Sequence, residues 1–173
     1  DVAEMIRLKP GERFDRYLQI LLLPKLILTT RSAHADAAYH MGRDLFYRHN
    51  VGKLRLKFTL SRATSNAAET IPGIERLTPE DVALGLYEGF ARFRSEQPSF
   101  EFILSPCFRK EPDFFDQTRF ASKREDVDEQ VNTILSLLDR FPELRDHLRE
   151  VDTVGNERHF FRKQHFNDMR IGF

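Results

Sequence analysis

The stretch that decides the fold reads Lys53-Leu-Arg-Leu-Lys-Phe58, then Leu77-Thr-Pro-Glu-Asp-Val-Ala-Leu-Gly-Leu-Tyr-Glu-Gly-Phe-Ala-Arg-Phe93, then Phe100-Glu-Phe-Ile-Leu-Ser-Pro-Cys-Phe108. The first run alternates strictly, with Leu54, Leu56 and Phe58 set against Lys53, Arg55 and Lys57, the period of a strand with one apolar and one charged side. In the second, Thr78 suits a helix cap, Pro79 its first position, and Glu80 and Asp81 complement the dipole of its first turn, so a helix is expected through about Ser95. The third is apolar enough over 100–104 to be a strand covered on both faces, ended by Ser105-Pro106. The three make a β-loop-α-β unit.

Working outward, Val127, Val131, Ile134, Leu135, Leu138 and Phe141 give a helical stripe, and Pro142 starts a short extension to Leu148. Val151-Asp-Thr-Val-Gly-Asn-Glu157 then reads as a short strand broken at its glycine. Upstream, Lys9-Pro-Gly-Glu12 is a turn launching a helix whose Phe14, Tyr17, Leu18, Leu21 and Leu22 share a face. Ser32 suits the cap of a second helix with Ala35, Ala38, Tyr39, Leu45 and Phe46 on its stripe, closed by Asn50-Val-Gly52. The expectation is a single partial α/β domain over 1–173: helices over 10–50, strand–helix units over 53–157 and an aromatic, basic extension over 158–173. Strands alternating with helices predict about three parallel strands with flanking helices. Three strands cannot close a barrel on their own. The long loops over 59–76 and 109–123 follow strands, where α/β proteins place their chemistry.

Composition sets outer bounds. Lys plus Arg and Asp plus Glu number 27 each, so no net field draws the chain to nucleic acid or an anionic membrane. An apolar share of 40% with 16 Phe suffices for a core. The longest apolar run, 20–23, ends at Pro24, far short of the ~20 residues of a membrane span. A single cysteine, Cys107, excludes an internal disulfide and fits a reducing, cytoplasmic compartment. A start at Asp1 and an end at Arg170-Ile-Gly-Phe173 suggest a piece of a longer polypeptide.

Few residue types with catalytic chemistry are patterned for it. His34, His40, His49, His147, His159 and His165 show no ligand spacing, and a surface position is expected for each. Cys107 follows Pro106 at a strand end where a nucleophile can sit, but without a histidine partner a small buried thiol is the expectation. The run His159-Phe-Phe-Arg-Lys-Gln-His165 suits stacking and neutralisation of nucleotide phosphates, useful if the substrate is ATP, although such a run is more often an interface or a snorkelling surface.

In order and wording, 14–157 resembles the adenosine deaminase family, metal-dependent hydrolases on a TIM barrel. Phe14-Asp-Arg-Tyr-Leu-Gln19 is similar to the family's helical lid, Leu54-Arg-Leu-Lys-Phe58 to its second barrel strand, Leu77-Thr-Pro-Glu-Asp-Val82 to the helix start after it, and Val151-Asp-Thr-Val-Gly-Asn-Glu157 to its fourth strand. That strand typically ends Asp-Leu-Ala-Gly-Asp-Glu, with the glycine N–H offered to the purine ring, and the resemblance gives this role to Gly155. Asn156 stands where the family often has an acid, and Thr153-Val154 replace a small apolar pair. The lid implies Tyr17, Leu18 and Leu21 as residues covering the base; the same three suit plain core packing.

The resemblance implies part of a TIM barrel, an adenine nucleoside or nucleotide as substrate, release of ammonia with formation of the inosine form, and Zn2+ as cofactor. The family's metal-ligating motifs, a His-x-His pair, later histidines with a nearby glutamate, and an aspartate, are not in this sequence. The long loops are similar to those of enlarged bacterial defence deaminases, such as the deaminase subunit of the RADAR system and CRISPR-linked deaminases, which implies a homo-oligomer and an ATPase partner. An inactive binding or structural module of a larger assembly is the alternative, and another TIM-barrel hydrolase sharing only packing rules is a third reading.

Overall fold

The computed structural model describes residues 7–14, 16–17, 20, 27–60, 72–74, 77–109, 115, 117 and 119–155. They form an α/β arrangement of helix α1 (Arg31–His49), strand β1 (Lys53–Thr59), helix α2 (Pro79–Glu96), strand β2 (Glu101–Arg109), helix α3 (Lys123–Arg140), a 3-10 turn (Pro142–Asp146) and strand β3 (Asp152–Val154). The strands lie in the order β1-β2-β3 in one open sheet, and both pairings are parallel.

Local chemistry accounts for the element ends. α2 begins with a full capping box: the Thr78 hydroxyl accepts the Asp81 N–H at 3.1 Å, and Asp81 accepts the Thr78 N–H at 3.2 Å. α1 is capped by Thr30, whose hydroxyl accepts the Ala33 N–H at 3.1 Å, two residues before the expected Ser32. It stops at Asn50, which takes the left-handed conformation with φ 55° that asparagine tolerates better than most residues. Ser122 caps α3 through the Glu125 N–H. Phe14, Arg16, Tyr17 and Ile20 are helical, at the place expected for the first helix.

β2 does not end at Ser105-Pro106, as the proline suggested, but continues to Arg109. The ladder explains why. On β2 the Glu101 N–H points to β1, where it meets the Gly52 carbonyl at 2.8 Å, while the Leu104 N–H points the other way, to the His147 carbonyl at 2.7 Å. Alternation puts Pro106 on that second side, between the last contact with the turn at Leu104 and the start of β3 opposite Cys107. The missing N–H falls where β2 has no ladder partner to bond.

The pleat divides the sheet into two unlike faces. Leu54, Leu56 and Phe58 of β1 share a face with Phe102, Leu104 and Phe108 of β2 and pack into the core. α2 covers that face: the rings of Phe90 and Phe102 are 5.3 Å apart and those of Phe93 and Phe100 are 5.0 Å apart, all four essentially buried. α1 packs against α2 at close range because two glycines allow it. A Cβ on Gly89 would overlap the Ala35 carbonyl oxygen and lie 2.7 Å from the Ala38 Cβ, and one on Gly85 would lie 2.5 Å from the Arg31 carbonyl oxygen.

Candidate functional site at the carboxyl end of the sheet

The second face carries the charged half of the β1 alternation. In register with Lys53, Arg55, Lys57 and Thr59 stand Glu101, Ile103, Ser105 and Cys107 of β2, and Cys107 in turn faces Asp152 of β3. The cations find acids across the sheet: Lys53 with Glu101 at 3.0 Å, Arg55 with Glu150 at 2.7 Å, and Lys57 with Asp152. These pairs are largely open to solvent, where an ion pair adds little stability, so they serve chiefly to balance charge on the face.

Toward the carboxyl ends of the strands the face becomes a small cluster of Lys57, Thr59, Ser105, Cys107 and Asp152. Ser105 and Cys107 are almost fully buried in the middle strand. Their small side chains leave space for the Lys57 arm to pass over β2 and reach β3. Asp152 also accepts the N–H of the next residue, Thr153, at 2.7 Å. The ammonium of Lys57 is held above the ordinary lysine range, first by its hydrogen bond to Asp152. Burial, followed by the charge of Asp152, pushes the Cys107 thiol up. A thiol in that state is a poor nucleophile near neutral pH, in keeping with the small buried thiol expected from the sequence.

Of the expected substrate-contacting residues, Gly155 lies at this end. It follows Val154 directly and has φ +152°, a conformation in which a side chain would be strained. Tyr17 is 42% exposed and stacks on Phe14 at 5.8 Å between ring centroids. Leu18 and Leu21 lie outside the described residues, as does the run 159–165.

Two histidines correct the expectation of surface positions. His34 is buried, with Nδ1 3.0 Å from the Thr30 carbonyl oxygen, and His147 is buried against β2; His40 and His49 are exposed, and His159 and His165 lie outside the described residues. Neither buried histidine joins a ligand set. Among the described residues no group of three or more His, Cys, Asp or Glu is arranged to hold a metal ion, and none of them is assigned to the Zn2+, whose ligand motifs the resemblance places outside this sequence. No helix among them is long and apolar enough to cross a membrane.

The ladder was half visible in the sequence. The alternation of Lys53, Arg55 and Lys57 announced a charged face, but its acids come from 101, 150 and 152, and only the register shows which cation meets which.

No protein-family model matches the sequence, and no curated protein matches it.

Proposed function

We propose that this chain is part of the TIM barrel of an adenosine-deaminase-like hydrolase, which converts an adenine nucleoside or nucleotide to the inosine form with release of ammonia. The observation that carries the reading is Gly155, a glycine in a glycine-requiring conformation at the carboxyl end of the third parallel strand, next to the Asp152 cluster. Ligands of parallel α/β sheets bind outside the carboxyl ends of the strands. A residue without a side chain there lets a flat heterocycle approach the main chain and take a hydrogen bond from it.

In this reading the chain supplies one wall of the site. The Gly155 amide orients the ring, and the paired charges of Lys57 and Asp152 border it without adding net charge. The metal belongs to residues outside this wall, and the resemblance to enlarged defence deaminases suggests a homo-oligomer working with an ATPase partner.

The test uses the full-length protein that carries this chain, incubated with adenosine, AMP, ATP and an adenine-containing RNA while ammonia and adenine absorbance are followed. Turnover of one of them, lost with a chelator and restored by zinc, supports the proposal and names the substrate. A metal-free protein that turns over none of them supports the inactive module instead.

A further inference from the structure

The ion pair between Lys57 and Asp152 spans the whole width of the sheet, from β1 to β3 over β2, and of the three pairs it lies nearest the carboxyl ends. Lys53–Glu101 joins neighbouring strands only, and Arg55 reaches Glu150, which precedes β3. Asp152 is therefore the β3 residue through which β1 holds the strand. Its carboxylate engages the Lys57 ammonium and the Thr153 N–H.

β3 has only three residues, so few ladder bonds fix it to β2. Gly155 follows at once, and a glycine does not restrict its own backbone. Where its amide sits thus depends on how firmly the start of β3 is held. The geometry points to Lys57 and Asp152 as a positioning pair that fixes the Gly155 amide for the substrate ring, an inference that rests on the deaminase reading above. The pair touches no reacting atom in this account; it acts through the backbone of 152–155.

An amide that holds the ring in ground and transition states alike affects KM and leaves kcat largely alone. The experiment compares wild-type full-length protein with Lys57→Met and Lys57→Arg by two readouts, amide hydrogen exchange over 152–155 and steady-state kinetics on the adenine compound that the wild type turns over. For Lys57→Met we expect faster exchange in that segment alone and a KM raised about tenfold with kcat within about twofold, both reversed in Lys57→Arg. Unchanged exchange in Lys57→Met overturns the proposal whatever the activity. Faster exchange with an unchanged KM leaves an anchor without a substrate role and overturns it as well. If the wild type turns over no adenine compound, the deaminase reading fails on that result, and the exchange readout still decides whether Lys57 anchors β3.

Discussion

The imidazole of His147 lies flat on the ring of Phe102, with 4.1 Å between centroids and 11° between planes. The same histidine is 3.0 Å through Nδ1 from the carbonyl oxygen of Phe102 and 3.2 Å through Nε2 from an Arg94 guanidinium nitrogen. A carbonyl only accepts, so Nδ1 carries the proton and Nε2 accepts from Arg94. With its backbone carbonyl taking the Leu104 N–H, His147 does for β2 at 102–104 what β3 does at 107–109.

Replacing His147 with Ala removes the stack and both ring hydrogen bonds and leaves the buried Phe102 carbonyl without its side-chain partner. A loss of about 2–4 kcal/mol in urea unfolding is expected, against less than about 0.5 for His49→Ala on the exposed end of α1. Equal effects at the two positions would refute the structural role of His147.

Gly89→Ala tests the α1–α2 crossing. Alanine gains up to about 1 kcal/mol in helix propensity, yet its methyl group would meet the Ala35 backbone, and overpacking of this kind costs about 1–3 kcal/mol. We expect net destabilisation in thermal unfolding. Gly42→Ala should be milder, because its nearest neighbour is a side chain, Phe93 at 3.1 Å, and not an overlapping backbone atom. A stabilised Gly89→Ala protein would mean that the helices are further apart than described.

Thr78→Ala dismantles the capping box of α2 and should lower stability by about 1 kcal/mol. Ser32→Ala, next to the actual cap of α1 at Thr30, should change stability by less than half of that.

Alkaline pH provides a fourth test. The Cys107 thiol is raised by burial, so the folded chain keeps its proton where the unfolded chain, titrating near ~8.5, has begun to lose it. The folded state then binds more protons, and stability falls as pH rises from the ordinary thiol range toward the raised folded value. Lys57, also raised, adds a loss only at higher pH, beyond the ordinary lysine value of about 10.4. Melting curves from the ordinary thiol range up to the tyrosine value of about 10, above which the raised Tyr39 and Tyr87 add losses of the same sign, should therefore slope downward for the wild type and flatten in Cys107→Ala. An unchanged slope in the variant would show that the thiol is not the cause.

How much of this was open to a reader of the sequence follows from the range of each interaction. Caps and alternation are local, so the Thr78 start of α2, the Asn50 end of α1 and the two-sided character of β1 could be read directly. Pro106 misled because its fitness depends on a gap in the partner strand, which local sequence does not describe. His147 was hidden for a similar reason: its partners, Phe102 and Arg94, lie 45 and 53 residues away. Of the candidate site, Gly155 was legible as a strand-ending glycine, whereas the Lys57–Asp152 pair needed the register of three strands.

The most direct test of the central claim is ammonia release from adenine nucleosides and nucleotides by the full-length protein, with Gly155→Ala measured beside the wild type. The account predicts turnover by the wild type and a kcat/KM lower by roughly tenfold or more in the variant, because a methyl group at φ +152° both strains the backbone and blocks the close approach of the ring. No ammonia from any adenine compound, or equal rates for the two proteins, would contradict it.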